Sequence, residues 1–492
     1  MNILMVYPDY PDTFWSFKYA LKFISRKSTE PPLGLLTVAA MLPGKWEKKV
    51  IDLKVKKLLD KDIAWADFVF ISAMSIQRKS SHEIIDRVHA SGKPVVAGGP
   101  LFTMEYESFL NVEHLVLDEA EITLPMFLHD LEDGNPKQLY RSELKPSITE
   151  TPVPAWELID LKKYATVNIQ YSRGCQFECD FCNISTLFGR RIRTKSKEQV
   201  ITELDKLYEH GWRGGVFFVD DNFIGNKPKL KKNLLPALIR WQKERKNPFV
   251  FGTEASIDLA DDDELLILMV MAGFDNVFIG IETPNEDSLA ECNKLQNRNR
   301  NLKECVDKIQ DYGLIVKGGF IVGFDNDPST IFTRLSDFIQ DSKIITAMVG
   351  ILNAPRGTAL FNRLTKEKRM VREVSGDNTD YSINFIPKMG NEKLVNGYRE
   401  TLINIYSPKF YYDRVTAFLR DYKPFAKKKL NFEFRYVKAL FKSIFFMGII
   451  GRERVYYWRL FFWTLFRRPH LFSLAMTYAI YGFHFRKIFN LS

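Results

Sequence analysis

The chain has 492 residues, with 70 Lys+Arg against 60 Asp+Glu and 46% apolar side chains. That balance belongs to an ordinary globular protein of about three domains, and it excludes a long disordered chain, a collagen and a small disulfide scaffold. Five cysteines are too few for a secreted disulfide framework, so a reducing, cytoplasmic setting is expected.

Met1–Pro8 carries no basic segment and reads as a buried strand rather than a signal peptide. Up to Leu144, short apolar runs at 2–7, 50–53, 67–72, 94–97 and 114–117 alternate with helical periodicity at 33–42 and 82–90. Strand-helix alternation predicts a parallel, doubly wound α/β sheet over residues 1–144. Ligands of such sheets sit beyond the strand C-termini, here Tyr7–Tyr10, Ser72–Ser75, Gly98–Pro100 and Asp118–Glu121. Residues 145–163, with Pro146, Pro152 and Pro154, form a linker. From 164 to 365 the alternation resumes, with strands at 167–171, 216–220, 249–252, 277–281, 316–322 and 347–352. Six β/α units predict a partial barrel of TIM type with its chemistry at the strand C-termini. Residues 366–492 form a mostly helical third domain. From Asn404 onward it holds 17 Lys+Arg against 4 Asp+Glu and 26 of the 67 aromatic residues, so the body of the protein is slightly acidic.

One motif carries chemistry. Cys175, Cys179 and Cys182 stand within eight residues, just after the first barrel strand. Three such thiolates can hold three irons of a four-iron cluster and leave the fourth open. Structural zinc would require a distant fourth ligand, and three incidental buried thiols are the bland alternative. Cys292 and Cys305 stand singly and are expected to pack on barrel helices.

Cys-x3-Cys-x2-Cys with Phe181 before the last cysteine resembles the radical S-adenosylmethionine enzymes. Ile279–Pro284 and Gly319–Gly323 resemble that family's fourth- and fifth-strand signatures. Pro32–Gly34, Ile71–Ser75, Val96–Pro100 and Asp118–Glu121 are similar to its cobalamin-binding domain. Met348–Thr358, Ser375–Asn378 and Tyr406–Pro408 resemble the subgroup with an extra C-terminal domain that includes hopanoid methylases.

The resemblance implies three cofactors: a 4Fe–4S cluster on Cys175, Cys179 and Cys182, S-adenosylmethionine, and cobalamin. It assigns S-adenosylmethionine contacts to Asp220, Asp221, Asn222, Ser256, Glu282, Gly319, Ile321, Gly323 and Asn353. Asp220–Asn222 departs from the commoner Gly-Gly-Glu. Cobalamin contacts fall on Ser72, Met74, Ser75, Gly98, Gly99, Pro100 and Glu119. The glycine pair is expected to let the macrocycle's tail approach the backbone. The loop Tyr7–Trp15 has no histidine, so no protein imidazole is expected below the cobalt, and His82 reads as a plain polar residue.

The implied reaction is methylation of an unactivated carbon in a small hydrophobic, isoprenoid-like substrate, with electrons from a flavodoxin or ferredoxin. A cyclisation or rearrangement with the same cofactors, and a non-catalytic iron–sulfur or cobalamin sensor, are the competing readings. Nucleic-acid modification is set aside, because no RNA-binding module is recognisable and the tail's aromatics are too densely apolar for a stacking platform. The run Pro469–Phe485 is marginal against the roughly 20 apolar residues of a spanning helix. Two roles are therefore expected for the tail: in-plane association with an anionic membrane surface, and a cover over the barrel mouth. Lys427–Lys429 reads as a solvated run.

Overall fold

A computed structural model describes residues 1–377, 379–425 and 434–491; Asn378 and Lys427–Lys429 lie outside them. The first sheet comprises β1 (Asn2–Tyr7), β2 (Glu47–Asp52), β3 (Phe68–Ser72), β4 (Val95–Gly98), β5 (His114–Val116) and β6 (Leu139–Tyr140). Its order is β2-β1-β3-β4-β5-β6, all parallel. Alternate residues serve two cores, as the period of a strand requires: Leu4, Val6, Val69 and Ile71 face one, and Ile3, Met5, Phe70 and Val96 the other. Both faces are covered, which explains why these strands read as unbroken apolar runs. The order reverses at β1, so the crevice beyond Tyr7 and Ser72 is the switch point where doubly wound sheets bind ligands. The short edge strand β6 lay hidden in the sequence; two residues carry no periodicity.

The second sheet takes β7 (Thr166–Ile169), β10 (Gly215–Phe218), β11 (Val250–Ala255), β12 (Phe274–Glu282), β13 (Ile315–Val322) and β14 (Ala347–Ile351) in chain order, all parallel. Between β7 and β10 a small antiparallel hairpin, β8 (Ser172–Arg173) with β9 (Arg193–Thr194), flanks the cysteine loop. Strands and helices alternate as in a partial β/α barrel, and local signals set the helix ends. Ser196 and Gln199 form a capping box at the start of Lys197–Glu209. Gly273, left-handed at φ 102, stops the helix Asp263–Ala272.

A long excursion after β1 runs along the free edge of β7. Ser28 bridges Tyr164, and Thr29 O accepts from Thr166 N at 2.9 Å. Trp15 in the same excursion meets Phe278 of β12 edge-on at 5.5 Å.

The helices Asn391–Tyr406, Pro408–Asp421, Phe434–Ser443, Arg454–Arg467 and Phe472–Ile488 form the C-terminal region. The first runs alongside the barrel from Leu394, against Gly323, to Tyr406, whose Oη donates to Ala347 O at 2.6 Å; the tail continues at the N-terminal ends of the strands, where Tyr422 Oη donates to Gly313 O at 3.0 Å. Phe485 stacks on Phe14 at 4.4 Å, and buried His484 meets Phe14 O at 3.1 Å. The tail therefore closes the end opposite the mouth that the sequence suggested. The cause is chemical: its buried tyrosines satisfy carbonyls where β13 and β14 begin. Among the described residues no helix is long and apolar enough to cross a membrane.

Candidate active site

The cysteine loop is held from below by Asp220. Its buried carboxylate accepts from the backbone N–H groups of Tyr171 (3.1 Å) and Ser172 and from Ser172 Oγ (2.5 Å). Gly174 follows at φ 91, where a Cβ would lie 2.9 Å from the carbonyl oxygens of Gly189 and Arg191. Only glycine turns the chain there into Cys175.

Burial pushes all three thiols up, Cys182 to about 12, and Cys182 also feels both Cys179 and Cys175. Among the described residues no three His, Cys, Asp or Glu side chains converge on a single metal ion. Thiols set around a cube grip separate irons, so the donor set fits the cluster and argues against mononuclear zinc. Lys294 sits among them, pairing with Glu282 at 2.7 Å. Burial works against its ammonium, and Glu282, Cys179 and Cys182 more than offset that, so its pKa is raised. Gln296 Nε2 lies 3.9 Å from Cys179 Sγ. Glu282 is itself left-handed (φ 63) at a bulge in β12, where Asn297 Nδ2 binds the carbonyls of Gly280 and Ile281 at 3.0 and 2.9 Å. Cys292 is buried at the end of the helix Glu286–Glu291, near enough to feel Glu282, Cys179 and Lys294, and its carbonyl accepts from Asp180 N at 3.0 Å; Cys305 is half-buried near Arg300.

Of the residues assigned to S-adenosylmethionine, several come together. Asn222 Oδ1 accepts from Ser256 N (3.2 Å) and Ser256 Oγ (3.3 Å). Asp221 stands close enough to Cys175 to raise its pKa. Burial lifts Asp221 to about 6, against the opposing effects of Gly174 N–H and Arg173. Asp221 Oδ2, Asn222 Nδ2 and Asn353 Oδ1 are buried without a partner. An orphaned acceptor and donor beside the thiols fit the charged amino and carboxylate end of S-adenosylmethionine. Asp220 does not join them, because its oxygens are spent on the loop. Phe181 meets Phe324, next to Gly323, at 6.3 Å. Gly319 and Gly323 answer to internal packing: a Cβ would come within 2.7 Å of Phe278 and 3.0 Å of Leu394. Ile321 is half-buried in β13, in register with Gly350.

At the first sheet, Ser72, Met74, Gly98, Gly99, Pro100 and Glu119 line a cavity of about 2670 Å³ that continues into the barrel lumen. Ser75 is not on its wall. The glycine pair also answers to packing within the protein. A Cβ at Gly98 would strike Val116 O at 2.6 Å, and Gly99 is left-handed (φ 91) with Ser72 Oγ at 2.8 Å. Glu119 is likewise engaged within the protein: Oε2 accepts from Arg173 (2.9 Å) and Arg193 (2.8 Å), and Glu121 pairs with Arg173 at 2.8 Å. These pairs join the crevice to the hairpin that flanks the cysteine loop. His82 stacks on Phe109 at 4.5 Å, away from the cavity. The cavity's one histidine among the described residues, His470, belongs to the tail. The volume at this end fits a large corrinoid.

Sequence reasoning missed Arg173, Arg193, Lys294, Gln296 and the lumen residues Glu30, Glu254 and Lys317. Only Lys294, Gln296 and Asn297, close together after the helix Glu286–Glu291, left a local signal.

Comparison with known proteins agrees with this architecture. The B12 binding domain matches residues 22–128, the radical SAM superfamily residues 169–333, and a domain of unknown function, DUF4070, residues 358–492. The chain is 42% identical over 490 residues to an uncharacterized methyltransferase of Synechocystis sp., covering 99% of this chain and 91% of that one. It is 34% identical over 471 residues to the hopanoid C-2 methylase of Rhodopseudomonas palustris, covering 93% and 88%. The solved structure of the cobalamin-dependent S-adenosylmethionine radical enzyme OxsB with aqua-cobalamin bound superposes with a TM-score of 0.64 at 15% identity, covering 99% of this chain and 79% of that one, a likeness of fold. The chain belongs to the cobalamin-dependent radical S-adenosylmethionine methyltransferase family, in the subgroup with an additional C-terminal domain, and its cofactors are a 4Fe–4S cluster, S-adenosylmethionine and cobalamin.

Proposed function

We propose that this enzyme methylates an unactivated carbon of a small hydrophobic substrate, isoprenoid in character, held in the barrel lumen. One observation carries the reading: a single cavity joins the crevice of the first sheet to a lumen walled by Trp15, Phe217, Phe278, Ile315 and Met348. The 34% identical relative, named a hopanoid C-2 methylase, supports the substrate class. When bound, the cluster with S-adenosylmethionine supplies hydrogen abstraction and cobalamin supplies the methyl group, chemistry that side chains alone do not provide.

The protein's own residues hold and orient these groups. Cys175, Cys179 and Cys182 grip three irons. Asp221 and Asn222 present their orphaned polar atoms to the methionine end of S-adenosylmethionine, while Ser256 fixes the Asn222 amide. Lys294 orients Glu282 and sets a positive charge beside the thiolates. Ser72, Met74 and Gly98–Pro100 shape the corrinoid's wall, and Glu119 with Arg173 and Arg193 locks that wall to the cysteine loop.

A flavodoxin or ferredoxin serves as electron donor. The setting is cytoplasmic, with the tail touching a membrane surface. Phe441, Ile449, Val455 and Phe466 stand in solvent, Phe466 at 76% exposure, and Lys438, Arg452, Arg459 and Arg467 of the same stretch of chain are exposed as well. Apolar side chains within a basic rim suit an anionic bilayer surface.

Turnover with the native substrate tests the reaction. S-adenosylhomocysteine and 5′-deoxyadenosine should form in equal amounts per methylated product, with deuterium from the target carbon recovered in 5′-deoxyadenosine. A product of unchanged mass with little S-adenosylhomocysteine would reject methyl transfer.

A further inference from the structure

Midway down the lumen the wall turns polar. Glu254 of β11 lies in register with Phe278 of β12, and Phe278 with Lys317 of β13, so three neighbouring strands place these residues at one height. All three line the cavity. Glu30 joins them from the excursion of the first domain, accepting from Asn168 Nδ2 at 2.9 Å. The Glu254 carboxyl and the Lys317 ammonium have no hydrogen-bond or ion-pair partner among the described residues, although each feels Glu30. Unpartnered ionisable groups are costly inside a protein, and a barrel that only needed filling would place branched apolar residues there.

We propose that Glu254, Lys317 and Glu30 form a recognition site for one uncharged oxygen function, a hydroxyl or a carbonyl, on an otherwise apolar substrate. This rests on the proposal that the substrate occupies the lumen. The charges already present select a neutral group. Burial, then Asp221 and Glu30, push Glu254 up to about 8, which leaves it a proton donor near neutrality. Burial raises Glu30 too, and lowers Lys317, which faces Asp275 as well as the two glutamates. Lys317 against Asp275, with both glutamates drawn toward their neutral forms, is balanced. An anionic ligand group would meet three acids, and a cationic one would meet Lys317. A carbonyl oxygen can accept from Lys317 and Glu254 together, and a hydroxyl can in addition donate to Glu30. Phe278 lies between Glu254 and Lys317 and Trp15 packs against its edge, so only one polar function is accommodated. Two residues beyond Glu254, Ser256 meets Asn222. At roughly 3.3 Å of rise per residue the gripped oxygen therefore sits about 7 Å below that level, several bonds from the carbon that reacts.

The test uses the full-length, cluster-loaded protein with N-phenyl-1-naphthylamine as a fluorescent lumen probe. Displacement is measured with dodecan-1-ol, dodecan-2-one, dodecane, dodecanoate and dodecylammonium. Glu254→Leu and Lys317→Met should each raise the alcohol's displacement concentration about tenfold, the effect of one lost hydrogen bond. Both should leave dodecane unchanged, retain wild-type iron content and melt no lower than the wild type. Glu254→Gln, which keeps a donor, should stay near the wild type. Equal effects on alcohol and hydrocarbon would overturn the proposal, as would the carboxylate or the ammonium displacing better than the alcohol. A wild-type protein that takes up no probe would overturn the apolar-lumen reading beneath it.

Discussion

Glu119→Ala tests how the two sheets are locked together. The carboxylate is nearly inaccessible, with 2% side-chain exposure, and its Oε2 receives Arg173 at 2.9 Å and Arg193 at 2.8 Å. Removing one partner of a buried ion pair costs about 3–5 kcal/mol, because the surviving charge stays desolvated. Arg173 keeps Glu121 and Gln170, and Arg193 keeps the carbonyls of Pro146 and Phe188. The loss should therefore fall near the low end, about 3 kcal/mol. Glu119→Gln, still able to accept one hydrogen bond, should lose about half of that. Denaturant titration of the apoprotein reads the first transition, and limited proteolysis within residues 145–163 reads undocking. Because Arg173 stands two residues before Cys175, iron loading should fall in parallel. A loss below about 1 kcal/mol, with unchanged proteolysis, would refute the claim that this network joins the cofactor crevice to the cysteine loop.

The remaining predictions concern the thiols, the lumen and the tail. Replacing Cys175, Cys179 or Cys182 by Ala should remove most iron and abolish 5′-deoxyadenosine formation, whereas Cys292→Ala and Cys305→Ala should keep both; full iron in Cys179→Ala would refute the assignment. The folded protein lifts Glu254 from 4.5 to about 8, so the unfolded chain releases this proton first and stability falls as pH rises through that interval. Glu254→Gln removes the loss, and its stability relative to the wild type should climb from about pH 5 to about pH 8; a flat difference would refute the shift. Arg467→Glu should weaken binding to anionic vesicles, with a smaller effect at high salt where the attraction is already screened. Arg468→Glu should instead destabilise the protein, since Arg468 Nη2 donates to Tyr422 O at 2.6 Å.

What was legible in the sequence follows from the range of the interactions that create it. Both sheets could be read because most buried strands are contiguous apolar runs separated by helical stretches, some with their own caps. The cysteine loop was legible for a similar reason: ligation fixes the spacing of Cys175, Cys179 and Cys182 within one short segment. Glu119 looked like a crevice ligand because its partners stand 54 and 74 residues away. Gly98 and Gly99 looked like a cofactor's landing site, yet their need for a missing Cβ comes from Val116 O on the neighbouring strand and from Ser72. A glycine pair reports that something approaches the backbone; only the three-dimensional structure says whether that something is ligand or protein.

The same limit governs function. The lumen layer of Glu254, Phe278 and Lys317 comes from three strands, and none of the three residues belongs to a motif. Read alone, each would be an ordinary strand residue. Their meaning lies in register, which places an acid and an amine on either side of an aromatic ring inside a cavity. The cofactors, bound by short local motifs, are therefore legible from the chain. The proposed substrate layer is built instead from side chains that share a height in the barrel and have no proximity in sequence. Exchanging Glu254 and Lys317 for apolar residues should accordingly alter which substrate is accepted before it alters cluster content or S-adenosylmethionine binding.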